Sequence, residues 1–169
     1  MMIHIETVVK VPAGSTSGIY FFMLNCTDQE YQAWWPGTHL AWHTIIERPG
    51  KLGNLVYFDE YVGKRRLKFQ AIVTEIVPGQ KIVWQLKKIV RLPAWLRLEF
   101  TDHLEGTEIK HTLEVGFQVI GRVINPWLRL YFNADFAKKL EEHARTEFPM
   151  LVSMLASQGK PENQGAGVE

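Results

Sequence analysis

The chain has 169 residues, 46% hydrophobic and 22% charged, and its 19 basic and 18 acidic side chains give a formal net charge of +1. That length suits one domain with a real core. The balanced charge supplies no basic field for nucleic acid and no acidic tail. A single cysteine, Cys26, excludes an internal disulfide framework and reads as buried filler. Met1 to Val11 lacks a signal-peptide pattern and no apolar run reaches membrane-spanning length, so the expectation is a soluble cytoplasmic protein.

Ile3 to Val11 predicts a first strand, Ser15 to Asn25 a short buried helix, and Asp28 the cap of a second short helix that runs through Trp34 and stops at Pro36-Gly37. Strand patterns follow over Leu40 to Glu47, Gly53 to Val62, Leu67 to Val77, Lys81 to Ile89, Trp95 to Leu104 and Thr107 to Ile120. Turn signals separate them at Pro49-Gly50, Gly63-Lys64, Pro78-Gly79, Pro93 and Glu105-Gly106. Short turns between consecutive strands mean an antiparallel meander. The cluster Lys64-Arg65-Arg66 reads as a solvated turn. A long helix runs from about Pro126 to Ser157, with Pro149 expected to kink it or shift its last turns. Residues 1–157 make one domain, and the Gly-, Gln-, Glu- and Pro-rich tail 158–169 is expected to be disordered. The fold class is α+β, a curved antiparallel sheet around the long helix with a cavity between them.

Helical spacing places His143 and Glu147 on one face with Phe132, Phe136, Leu140, Met150 and Met154. A carboxylate on a buried face costs several kcal/mol unless it is paired or metal-bound. A histidine and a glutamate one turn apart form half of a divalent-metal site; the plainer alternative is a hydrogen-bonded pair, or a pair reaching Arg145 or a strand residue. Alternation along Gly53 to Val62 sets Val56, Phe58, Glu60 and Val62 on one face and Leu55, Tyr57, Asp59 and Tyr61 on the other. Inward, Glu60 adds a second carboxylate that asks for a cation; outward, it is wet and Asp59 is the charged group that matters. His39 follows the aromatic segment Tyr31 to Trp35, and His43 substitutes if His39 faces solvent. The set His39, Glu60, His143 and Glu147 suits zinc or another divalent first-row metal. On the last strand the inward set is Ile109, His111, Leu113, Val115, Phe117 and Val119. His111 is there a satisfied core histidine or, in a cavity, a proton donor or substrate anchor. His4 and His103 have no such context. Trp34, Trp35, Trp42, Trp84 and Trp95 suit an aromatic pocket or ordinary core.

The element order, with Val77-Pro78-Gly79-Gln80-Lys81-Ile82-Val83-Trp84 and Glu105-Gly106-Thr107-Glu108-Ile109 as hairpins, resembles the START-like helix-grip fold of the SRPBCC superfamily, which includes polyketide cyclases. The resemblance covers about residues 1 to 157 and implies a hydrophobic or aromatic small-molecule ligand in the groove between helix and sheet. His39, Glu60, His143 and Glu147 match, in order and type, the zinc ligands of one branch, the 2,4-diacetylphloroglucinol hydrolase-like family, and Tyr31 matches a tyrosine of that family that contacts substrate. This likeness implies zinc-dependent hydrolysis of a carbon–carbon bond between an acyl group and an aromatic ring. The metal would polarise the carbonyl and activate water, and Tyr31 and His111 would position or protonate the leaving carbon. Two other readings stand beside it: a metal-free carrier of an apolar molecule, and a polyketide cyclase.

Overall fold

The structure is a computed structural model and describes residues 2–88, 91–116 and 130–158. Its elements are β1 (Ile3–Val11), α1 (Thr16–Asn25), α2 (Asp28–Trp34), β2 (His39–Ile46), β3 (Leu55–Val62), β4 (Arg65–Val77), β5 (Lys81–Lys87), β6 (Arg91–His103), β7 (Gly106–Val115) and α3 (Ala134–Gln158). The strands form one antiparallel sheet in the order β1-β7-β6-β5-β4-β3-β2, so the first strand closes onto the last and the two short helices bridge the sheet's edges. This is the helix-grip architecture, with α3 laid against the inner face. Among the described residues no helix is long and apolar enough to cross a membrane.

Local chemistry explains most of the boundaries. Gly79 takes a φ of +66° in the tight β4–β5 turn, a conformation costly for residues with a Cβ. At Gly106 a Cβ would sit 2.6 Å from the Val11 carbonyl oxygen, so only glycine lets β1 and β7 end together. The cap of α2 is Thr27, one residue before the expected Asp28. The Thr27 hydroxyl accepts from the Glu30 N–H and the Glu30 carboxylate accepts from the Thr27 N–H, a reciprocal box that outcompetes a lone aspartate. Asp28 is thereby free to face β2, where Oδ1 accepts from the Trp42 N–H at 2.8 Å and meets His43 Nδ1 at 2.8 Å.

Pro93 does not mark a turn. β6 begins at Arg91, and an irregularity between Gln85 and Lys87 in the β5–β6 register accommodates the proline inside the strand. Arg65 and Arg66 are strand residues rather than a solvated turn: Arg66 grips Asp59 through two 2.8 Å hydrogen bonds, and Arg65 donates to the Tyr131 carbonyl. The helix α3 continues through Pro149 to Gln158. It buries Phe136, Leu140, His143, Ala144, Glu147, Phe148 and Leu151, while Met150 and Met154 are only partly buried. Ile89, Phe117, Val119, the expected helical start at 126–129 and the tail at 159–169 lie outside the described residues.

At the far end of the sheet Asp102 accepts hydrogen bonds from the hydroxyls of Thr107 and Thr16, each at 2.5 Å, tying α1 to the β6–β7 hairpin. These two donors, Thr107 first, hold its carboxyl below the ordinary value. A depressed folded-state pKa stabilises above the unfolded value, about 3.9, and that contribution is lost as pH falls through the lower folded value. Asp102→Asn is therefore expected to lower the urea midpoint at pH 7 and to flatten its decline below about pH 4. An acid limb identical to wild type would contradict the assignment.

Candidate metal centre

Three elements bring four side chains that could ligate a metal to one point. His39 opens β2 directly opposite Glu60 of β3 in register, so both side chains project from the same face of the sheet. His143 and Glu147 stand one turn apart on the buried face of α3. His143 Nε2 lies 3.3 Å and His39 Nε2 3.5 Å from Glu147 Oε2; their separations from Glu60 Oε2 are 3.8 and 3.9 Å. One ligand atom from each of the four residues falls within 4.8 Å of every other. His39 is 1% exposed, and both its ring nitrogens, like Nε2 of His143, are buried without a hydrogen-bond partner. The inward reading of Glu60 is thus the one observed. Asp59, on the opposite face, is neutralised by Arg66. His43, the alternative to His39, is half-exposed and pairs with Asp28.

The electrostatics match this crowding. Burial opposes charge on His143, but the facing Glu147 and Glu60 carboxylates carry its pKa up to about 9. Burial alone would raise Glu147; His143 and then His39 instead hold it well below the usual carboxylate range. The protein shell packs closely around the four. The Tyr31 hydroxyl donates to Glu60 Oε2, and its ring stacks on His39 at 4.0 Å between centroids and 4° between planes. Burial, followed by the charge of Glu60, pushes that phenol far above its ordinary pKa, so it stays protonated. The Trp34 indole N–H donates to the Glu147 carbonyl at 2.7 Å and its ring meets His39 edge-on. Trp35 covers His143 at 4.8 Å and His39 at 5.7 Å between centroids.

His111 projects from β7 into the same interior, where it lines a cavity of ≈ 30 Å³ together with Tyr31, Trp42, Phe58, Glu60 and Glu147. Burial lowers the His111 pKa, keeping the ring neutral, and Nδ1 has no hydrogen-bond partner. Pockets for drug-sized ligands measure roughly 300–1,000 Å³, so this space as it stands admits water and not an aromatic ketone. A surface cleft of ≈ 240 Å³ between Trp35, Thr38, Tyr61, Lys139 and Thr146 reaches His143 from outside. His143 is the residue common to cleft and cavity. A larger hollow of ≈ 890 Å³ around the β6–β7 turn is open and carries none of the candidate residues.

Of the six predicted site residues, all line one interior. Trp34 and Trp42 join the cavity wall, while Trp84 is core packed edge-on to Trp42. Cys26 is buried, and burial pushes its thiol pKa far up, as suits filler. Sequence reasoning missed the supporting role of Trp34, whose indole donates to the Glu147 carbonyl.

No family model and no curated protein matches the sequence, whereas solved structures match in fold. Ara h 8.0201 aligns with a TM-score of 0.62 at 8% identity, over 93% of this chain and 99% of that one. Major latex-like protein 151 from Panax ginseng aligns with a TM-score of 0.56 at 7% identity, over 84% and 97%. The di-domain ARO/CYC protein StfQ from the steffimycin biosynthetic pathway aligns with a TM-score of 0.57 at 15% identity, over 94% of this chain and 50% of StfQ. At these identities the likeness shows the fold alone: the chain shares the helix-grip fold of these proteins.

Proposed function

We propose that His39, Glu60, His143 and Glu147 hold a divalent first-row metal ion, zinc by the donor set, and that the chain is a metal-dependent hydrolase acting on an aromatic or polyketide-like ketone. The observation that carries this reading is the convergence of four ligand atoms around orphaned, buried imidazole nitrogens. A tetrahedron with bonds of about 2.0–2.1 Å has edges of about 3.3–3.4 Å; the four nitrogen–oxygen separations, from 3.3 to 3.9 Å, run from that length upward. Two carboxylates and two imidazoles form a set that a divalent cation neutralises. Such an ion supplies a Lewis acid and an acidified water when bound.

The chain's own residues do the rest. Tyr31, kept protonated, donates to Glu60 and fixes that carboxylate, and its ring holds His39 by stacking. Trp34 anchors the turn of α3 that carries Glu147. Trp35 packs against both histidine rings. His111, neutral, faces the same water-sized cavity, and once that cavity widens to admit the ketone it is placed to pass a proton to a departing carbon. The branch, 2,4-diacetylphloroglucinol hydrolase-like, rests on the order and type of the four ligands.

A second reading, a hydrophobic-ligand carrier or polyketide cyclase without metal, is favoured by the fold likeness to the ARO/CYC protein and by the aromatic lining. The comparisons lend this reading more support than the first, since one of the three neighbours is an ARO/CYC protein. Elemental analysis of protein purified without added metal separates the two. One equivalent of zinc or a similar ion is expected. A protein that lacks metal and takes up none on zinc addition refutes the metal centre. Acylphloroglucinol ketones that bind and are recovered intact refute the hydrolase and leave the carrier.

A further inference from the structure

Two side chains with orphaned polar atoms stand opposite each other in the β1–β7 register. Thr7 lies directly opposite His111 in register, and the burial alternation of both strands turns the two side chains to the inner face. Thr7 is 2% and His111 6% exposed, and neither the Thr7 hydroxyl nor His111 Nδ1 has a hydrogen-bond partner. Directly opposed residues hold their Cβ atoms about 4.5–5.5 Å apart, a span that one water bridges. A buried polar atom left unmade costs about 1–3 kcal/mol, and here two such atoms have a single remedy.

We propose that Thr7 is the positioning residue of His111: one buried water accepts the Thr7 hydroxyl proton in a hydrogen bond and donates to His111 Nδ1, so that the ring carries its proton on Nε2, toward the cavity shared with Glu147. Only the purpose of this arrangement rests on the metal-centre reading; the link itself does not. A neutral imidazole has two tautomers, and the hydrogen bond at one nitrogen selects which is present. Nε2–H toward the Glu147 carboxylate is the favourable orientation of the ring dipole. The other orphaned hydroxyl among the described residues, that of Thr112 on β7, stands opposite Arg97 and Glu6 and has no part in this link.

The test is nitrogen-15 NMR of the His111 ring in the full chain labelled at histidine, comparing wild type, Thr7→Val and Thr7→Ser, with zinc content measured in each. Wild type and Thr7→Ser are expected to show one neutral tautomer, Nε2 protonated and Nδ1 hydrogen-bonded. In Thr7→Val, the near-isosteric variant without a hydroxyl, the Nδ1 resonance should move to that of an unbonded nitrogen or the tautomer become mixed. Thr7→Ala repeats the deletion if valine is not accommodated. An unchanged His111 spectrum in the hydroxyl-free variants, or a wild-type ring protonated on Nδ1, overturns the proposal. Zinc content decides the other question separately: equal zinc beside an unchanged spectrum removes the role of Thr7 alone. Zinc absent from every protein beside a changed spectrum removes the metal centre alone.

Discussion

Stripping the metal-loaded protein with a chelator is expected to lower its melting temperature by roughly 10 °C. An ion that binds only the native state, present at a thousand times its dissociation constant, stabilises by about 4 kcal/mol. For a chain of this size each kcal/mol moves the midpoint by about 2–4 °C. Glu147→Gln keeps the shape of the side chain but removes the carboxylate nearest both imidazoles, at 3.3 and 3.5 Å. The variant should melt near the stripped wild type and respond little to chelator. Differential scanning calorimetry of the four samples reads this directly. Wild type and variant melting alike with and without chelator would speak for the metal-free carrier.

His111→Ala is expected to leave metal content intact and to depress turnover of an acylphloroglucinol by roughly 10²–10⁴-fold, the usual contribution of a positioned acid or base. His111 is not one of the four convergent residues, so the ion should survive the change. A group that gives its proton only as the bond breaks acts in the transition state, so the loss should fall on kcat more than on KM. His111→Gln preserves side-chain bulk and controls for collapse of the cavity. If the protein is a carrier, the substitution alters affinity alone and wild type yields no product from the ketone.

The period-2 alternation of β3 grouped Glu60 with Val56, Phe58 and Val62 but left open which face turned inward, whereas helical spacing was enough to pair His143 with Glu147. His39 against His43 was not decidable from spacing, since both lie on β2. The choice is made by register, which sets His39 across from Glu60, and by Asp28, which meets His43 on the outside. Asp28 could face outward because Thr27 and Glu30 cap the helix instead, a competition between adjacent capping residues that composition does not resolve. Pro93 misled for a related reason. A proline is a turn signal by propensity, but a strand irregularity absorbs it where the flanking residues pair well. The pairing of Arg66 with Asp59 depended on the β3–β4 register, which no local pattern reveals.

The hydrogen bond from Trp34 to Glu147 joins residues 113 positions apart, and β1 completes the sheet only by pairing with β7. Contacts of such separation carry a large loop-closure cost and form late. His39 and Glu60 face each other across a local hairpin, whereas His143 and Glu147 reach them from a distant helix, so the site is expected to be completed only when α3 docks on the sheet. An interaction absent from the folding transition state leaves the folding rate almost unchanged and slows unfolding instead. A metal held by these four side chains would therefore act as a latch on a finished structure: refolding with and without zinc should proceed at the same rate, and the zinc-loaded chain should persist longer once folded.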